Sequence, residues 1–301
     1  MALPMLLTLG MTAANTRLET TSEAMERLNR AAWRDDEALR WYANAEGFLD
    51  PGERIAFHEL LADVEGQPVL DLGVGGGRTT AHLLPHTSDY LGLDYTPQMV
   101  ATCRRKFPGA HFEVADARDL SALPSNSFQL VVFSYNGIDS VDLAGRKQVL
   151  AEAFRVLKPG GAFFFSTFNR NGPGFTGEFR LNHTVNLTWR PLRLVRRAAR
   201  FVIATAVGYV RRAANLEFEE RERDHGILLH SAHDFGVLVF ATTALHLEHQ
   251  LGEAGFAQNP RVFGSRSGFE THGEFDADDV YVHVIARKPA ALGFSPGRGS
   301  R

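Results

Sequence analysis

The chain has 301 residues, of which 44% are hydrophobic, 22% charged and 10% aromatic; this excludes a disordered, collagen-like or disulfide-stapled protein and provides for a large buried core. Lys and Arg number 32 against 35 Asp and Glu, a net charge of −3, so the chain as a whole is not a basic surface for nucleic acid. Cys103 is the single cysteine, which excludes an internal disulfide or a cysteine-rich metal site and makes the reducing cytoplasm the expected location.

The opening MALPMLLTLGM has no Lys or Arg before Arg17, unlike a secretory signal, which needs a positive leading segment. No stretch approaches the roughly 18 apolar residues of a membrane span. Residues 18 to 62 are expected to be helical: Glu23 to Leu28 precedes a Trp33, Trp41 and Tyr42 patch, and Asp50-Pro51-Gly52-Glu53 restarts a helix through Ile55, Phe57, Leu60 and Leu61. The pattern then changes to short apolar runs that predict strands at Val69–Leu72, Tyr90–Asp94, Phe112–Val114, Leu130–Ser134, Ala162–Phe168 and Val280–Arg287. Helices are predicted over Pro97–Phe107, Arg146–Leu157 and Thr242–Gly255, with a further strand near 257–263. Strands alternating with helices imply crossover units and a mainly parallel sheet. The segment between Phe168 and Thr242 is too long for a connection and is expected to carry structure of its own, a cap. The tail 290–301 is expected to be disordered.

The strongest local signal is Val69-Leu-Asp-Leu-Gly-Val-Gly-Gly-Gly-Arg78. A strand ending in an acid runs into glycines that permit a tight turn and close approach of a ligand. No Gly-Lys-Ser/Thr follows, so the phosphate loop of nucleotide hydrolases is excluded. The dinucleotide spacing fails as well, because its third glycine falls on Arg78 or Thr80. Asp94 ends the second predicted strand, where it could take two ribose hydroxyls, and Asp116 ends the third, where it could accept from an adenine amino group. Three strand-end acids beside a glycine turn suit a cationic adenosine ligand. The alternatives are a helix cap for Asp94, a turn cap for Asp116 and plain core packing for Met99.

The stretches LDLGVGGGR (70–78), YLGLDYTPQMV (90–100), FEVADARDL (112–120), FQLVVFSYNGID (128–139) and RVLKPGGAFFFSTFN (155–169) occur in order and with consistent spacing. Over roughly residues 50 to 170 the chain resembles a class I S-adenosylmethionine-dependent methyltransferase. The resemblance implies an α/β, Rossmann-like, seven-stranded, mainly parallel sheet flanked by helices, binding S-adenosylmethionine and releasing S-adenosylhomocysteine. It implies that Asp71, Gly73 and Gly75 line the methionine end, that Asp94 and Tyr95 hold the ribose, and that Met99 packs near the adenine. Asp116 and Ala117 would meet the adenine edge, with Ser134 and Tyr135 flooring the pocket beside the methyl group. The expected organisation is an N-terminal arm and helical lid over 1–50, a core over 51–170 and 242–289, and an inserted helical cap over 171–241.

The acceptor should face the loop after the fourth predicted strand, where Tyr135, Asn136 and Asp139 are the polar groups, with pocket wall and turn chemistry as their alternative roles. Methyl transfer needs alignment and, for a hydroxyl or ammonium acceptor, a base. His230 and His233, in His230-Ser-Ala-His233-Asp234, are candidates for that base, with turn and packing roles as the alternative; no metal-binding pattern accompanies them. DNA is disfavoured as acceptor, because the loop reads Ser-Tyr-Asn-Gly and Cys103 falls on a distant helix. A small molecule is expected, such as a sugar, a secondary metabolite or a lipid-linked intermediate; RNA, or cofactor binding without chemistry, are the other readings. Arg190 to Arg212 contains seven arginines and no acid. At helical spacing Arg193, Arg196, Arg197, Arg200 and Arg211 oppose Leu192, Val195, Ala199, Val202, Ile203, Ala206 and Val210. Three readings are open: a cap helix packed on the core with its basic face in water, a site for a phosphate-bearing acceptor, or peripheral contact with anionic lipid at the inner membrane surface.

Overall fold

Local caps start the first helices. In the computed structural model, which describes residues 19–45, 47–173, 175 and 191–290, α1 (Thr21–Trp33) opens on Thr20. The Thr20 hydroxyl accepts from the Glu23 backbone N–H while the Glu23 carboxylate accepts from the Thr20 N–H. α2 (Asp36–Asn44) follows, and α3 (Pro51–Asp63) begins at Asp50, whose carboxylate caps Glu53 N at 2.9 Å behind Pro51 in the first helical position.

The alternating part then runs β1 (Val69–Leu72), α4 (Thr80–Leu83), β2 (Tyr90–Asp94), α5 (Pro97–Lys106), β3 (His111–Val114), β4 (Phe128–Phe133), α6 (Leu143–Val156) and β5 (Leu157–Asn169). α7 (Pro191–Asn215), β6 (Glu220–Arg221), β7 (His225–His230), β8 (Val237–Thr242), α8 (Ala244–Glu253), β9 (Arg261–Gly264), β10 (Glu270–Thr271) and β11 (Tyr281–Arg287) complete it. In space the order is β3-β2-β1-β4-β5-β11-β9-β10, with β1 to β5 parallel and β11 antiparallel to both neighbours. This is a Rossmann-like sheet. The chain leaves β1 toward β2 and β3, then returns to place β4 on the other side of β1, so a crevice opens at the carboxyl ends of β1 and β4.

Strand alternation divides the core in two. Leu70, Leu72, Val131, Phe163 and Phe165 pack with Val149 and Leu150 of α6 and Leu247 of α8 on one face. Val69, Leu130, Val132 and Phe164 pack with Phe57 and Leu60 of α3 and Val100 and Cys103 of α5 on the other.

The structure differs from expectation beyond β5. The described sheet has eleven strands, not seven, and the cap expected to be helical contains a hairpin, β7 with β8, as well as α7. β8 runs parallel to the end of β5, pairing Phe168 with Ala241 and Asn169 with Thr242, so the cap prolongs the main sheet. All six β8 residues are buried. A short, uniformly apolar run such as Val-Leu-Val-Phe-Ala-Thr carries no period that separates strand from helix. α1 packs on this hairpin through Ala24 and Met25 against Ile227, Leu229 and Phe240. Asn29 binds both polar groups of Leu238, accepting from its N–H at 3.0 Å and donating to its carbonyl at 2.8 Å.

α7 forms as the sequence predicts, but its apolar side is not packed on the core: it is exposed together with Arg196 and Arg211. Val195, Val202, Ile203 and Val210 are exposed, while Phe201, Thr205 and Gly208 turn toward the body. Arg190, His183 and the tail from 291 to 301 lie outside the described residues, as do the side chains of Arg193, Arg197 and Arg200.

Candidate active site

A cavity of about 1700 Å³ opens at the carboxyl ends of β1, β2 and β4. Ligand sites usually measure about 300–1,000 Å³, so this one has room for two ligands. One half lies over the glycine turn. The other extends under α1 and α7 toward the β7–β8 hairpin.

In the first half, Gly73 and Gly75 adopt φ of +61° and +54°, conformations that side-chain-bearing residues rarely take. A Cβ on Gly73 would strike the Phe133 ring at 2.6 Å, and one on Gly76 would collide with the backbone carbonyl of Tyr42. The turn thus lies flat against both the sheet and α2. Lys106 joins them, donating to Ala43 O at 2.6 Å and Gly76 O at 3.0 Å. Asp94 is buried and oriented by two backbone donors, Gly75 N at 2.9 Å and Thr96 N at 2.8 Å. It therefore steadies the start of α5 while bordering the cavity; burial raises its pKa. Asp71 accepts from Tyr90 and Thr79, each at 2.8 Å, and burial pushes its carboxyl up to about 6 against those bonds. Tyr95, Met99, Ala117, Ser134 and Tyr135 also line the cavity.

Asp116 is not among the lining residues. Its carboxylate is held by Arg118, with contacts of 2.6 to 3.2 Å, and its neighbours Ala115 and Ala117 form the wall. Asp139 is also withdrawn, which corrects the expectation of an acid facing the acceptor. It is fully buried, ion-paired with Arg146, and accepts from Phe168 N at 2.7 Å and Thr167 Oγ1 at 2.8 Å. Burial pushes its pKa up to about 7, with the Arg146 guanidinium opposing the shift. The group is a tie between the loop after β4, α6 and β5.

Tyr135 and Asn136 both have left-handed backbones, at φ +56° and +61°. Such conformations cost about 1–3 kcal/mol each and persist where surrounding structure holds them, frequently at functional sites. Here Asn136 N donates to Ser166 Oγ at 2.7 Å, and the buried Asn136 Oδ1 has no protein partner. Arg78 crosses beneath, bonded to Glu53 at 2.6 and 2.8 Å and to Ser134 Oγ at 2.8 Å, with its guanidinium 5.0 Å from the Tyr135 ring centre. Ser134 Oγ in turn donates to Glu53. Sequence reasoning missed Glu53, whose only visible signal was its place in the first turn of α3. Tyr42 lines the cavity, and exposed Trp41 lies 6.3 Å from Tyr135 at a shallow angle.

In the second half, His230 lines the wall with its ring 4.9 Å from Phe168, while the His233 side chain lies outside the described residues. Tyr281, also missed, faces the cavity and donates to Asp50 at 2.9 Å; His283 contacts the same carboxylate at 2.9 Å from the buried side. Cys103 points away, donating to Gly75 O at 3.1 Å, its thiol pushed up to about 12 by burial. Asp224, His225 and His246 cluster with ligand-capable atoms within 4.8 Å of one another, but none of them borders the cavity.

Residues 69–161 match the family model for a methyltransferase domain. The chain carries a class I S-adenosylmethionine-dependent methyltransferase domain. A demethylmenaquinone methyltransferase of Renibacterium salmoninarum is 34% identical to it over 160 residues, 51% of this chain and 63% of that protein. A fatty-acid O-methyltransferase of Mycolicibacterium smegmatis is 36% identical over 110 residues, 35% of this chain and 38% of that protein. The chain thus spans less than two thirds of these curated relatives' length. The crystal structure of Burkholderia thailandensis 1,6-didemethyltoxoflavin-N1-methyltransferase, with bound 1,6-didemethyltoxoflavin and S-adenosylhomocysteine, shares the fold. It has a TM-score of 0.54, covers 91% of this chain and 93% of that one, and is 16% identical. The methyltransferase domain includes β1 to the start of β5, and with them the glycine turn, Asp94 and the Tyr135–Asn136 pair.

Proposed function

We propose that this chain transfers the methyl group of S-adenosylmethionine to a lipophilic small molecule. The observation that carries the reading is the reach of the cavity beyond the glycine turn into a second region, where Phe168, Phe201, Val207, Val237, Val239 and Val280 supply apolar wall beside His230, Ser231, Asp234 and Arg211. The residues present fit the cofactor. Asp94 has carboxylate lone pairs beyond those used by Gly75 and Thr96 to receive two ribose hydroxyls, and the Gly73–Gly75 turn borders the cavity beside Asp71, where the methionine end would lie. Tyr95, Met99 and Ala117 flank the adenine position, and Asp116 acts by holding the turn that carries Ala117. When bound, S-adenosylmethionine supplies an electrophilic methyl on a sulfonium.

The chain's own contribution is alignment and exclusion of water. Ser134 and Tyr135, fixed by Arg78 and Glu53, place the floor between the two halves. The unpaired Asn136 Oδ1 and the Tyr281 hydroxyl orient the acceptor, and His230, in the cavity wall, is the imidazole that takes its proton. The relatives named for demethylmenaquinone and fatty-acid methylation support an acceptor with a large apolar part.

The test is incubation with methyl-tritiated S-adenosylmethionine and, separately, lipid and aqueous extracts of the source cells. Protein-dependent label in the organic phase is expected. Label confined to aqueous products would overturn the lipophilic class, and no label in either, with S-adenosylhomocysteine demonstrably bound, would leave a binding protein.

A further inference from the structure

We propose that α7 is an interfacial anchor that lays its apolar side into the headgroup region of an anionic phospholipid bilayer, beside the mouth of the cavity. The outward side of the helix is made of Val195, Val202, Ile203 and Val210, which are 66%, 64%, 63% and 66% exposed, with exposed Ala199 and Ala206 between them. Spacings of seven and four residues place Val195, Val202, Ala206 and Val210 on one side of a helix about 37 Å long. Amphipathic helices on a protein body turn such a stripe inward; an exposed stripe marks a surface that is covered by something else.

Charge selects the occupant. Between Arg190 and Arg212 there are seven arginines and no acid, in a chain whose net charge is −3. Exposed Arg196 lies one step round the helix from Ile203, and exposed Arg211 lies at the cavity wall. A second copy docked face to face would bring two such clusters together, and residues 1–18 contain no acid to offset one. An anionic bilayer answers both features, burying the valines while each nearby arginine gains about 1 kcal/mol from the surface potential. Among the described residues no helix is long and apolar enough to cross a membrane, so the helix lies on the surface.

Ile203 and Val210 belong both to the exposed side and to the cavity wall. The apolar surface is continuous from the outside of α7 into the acceptor half, so a lipophilic acceptor could pass from bilayer to site without crossing water. This last step rests on the proposed methyl transfer; the anchoring does not.

The experiment is co-sedimentation of the full chain with vesicles of phosphatidylcholine alone and of phosphatidylcholine with phosphatidylglycerol. It compares the unaltered chain with Val195→Glu/Val202→Glu and with Arg196→Glu; none of these residues lines the cavity. Binding to the phosphatidylglycerol vesicles is expected, falling as salt is raised, and about tenfold weaker or worse in the valine variant. Arg196→Glu should reduce the dependence on phosphatidylglycerol. S-adenosylhomocysteine affinity measured on each variant confirms a folded core and keeps a failed anchor distinct from a failed cofactor site. No sedimentation, equal sedimentation with both vesicle types, or an unaffected valine variant would overturn the proposal. So would a dimer in vesicle-free buffer that the valine variant dissociates, since that would give the face to a second copy.

Discussion

Asp94 shows how one carboxylate serves structure and ligand together. Its oxygens already accept from Gly75 N and Thr96 N, and hydrogen bonds to a charged group contribute about 1.5–3 kcal/mol each. Asp94→Ala should therefore weaken S-adenosylhomocysteine binding by a factor of about 10–100 in calorimetry; unchanged affinity in a folded variant would remove the ribose role. His246 offers a second test at this scale. Burial, with the charge of His225, lowers its imidazole from the ordinary 6.5 to about 4. Between those values the unfolded chain takes up a proton that the folded chain refuses, so this contribution to stability is intact above pH 6.5 and declines as pH falls toward 4. His246→Gln should shrink the difference between urea midpoints at pH 7 and pH 5, and an identical difference in both proteins would refute the assignment. That Asp71, Gly73, Gly75, Asp94, Tyr95 and Met99 border one cavity was legible in the sequence, because a strand-end acid and a glycine turn act within a few residues of each other. Tyr281 was not, because it meets Tyr135 only where an antiparallel strand from the far end of the chain lies against β5.

Elements are held to one another by buried polar ties. Arg146 on α6 reaches Asp139, Thr167 on β5 and Gln250 on α8, so the loop carrying Tyr135 and Asn136 is fixed from behind. Removing one partner of a buried ion pair costs about 3–5 kcal/mol. Asp139→Asn should lose stability of that order in denaturant titration while the refolded protein keeps its affinity for S-adenosylhomocysteine; intact stability with lost turnover would restore a catalytic role. The lid meets the core at Gly76. A methyl group there cannot coexist with the Tyr42 carbonyl, so Gly76→Ala should unseat α2 and lower cofactor affinity by about tenfold or more, as a displaced binding wall does. Proteolytic cleavage within α2, accelerated in the variant and unchanged in its sheet, would report this.

At the scale of the whole molecule, the cavity is closed by parts distant in sequence: α1 and α2 from the N-terminal side, α7 and the β7–β8 hairpin from the cap, and Val280 and Tyr281 from the last strand. A ligand in it binds only the folded state. At a hundredfold excess over its Kd, S-adenosylhomocysteine should stabilise the protein by about 2.7 kcal/mol. For a domain of this size that raises Tm by about 4 °C in a thermal melt, and at the same ligand concentration Asp94→Ala should cut the rise to about half or less.

The alternating strands and helices, the glycine turn and the series of strand-end acids were determined by the sequence alone, because each depends on a short run of residues whose period or backbone freedom is a local property. A mainly parallel sheet followed from the same runs, since strands alternating with helices make crossover units; the order β3-β2-β1-β4-β5 came from the structure. Only the tertiary structure decided that Asp139 is a tie behind the loop and not a group in the cavity, that Asp116 is occupied by Arg118, and that β8 extends the sheet from the end of β5. It alone decided that α7 turns Val195, Val202 and Val210 outward. Each of these depends on which surface a residue meets, and that surface is assembled from segments far apart in the chain, where no local period or spacing records the contact.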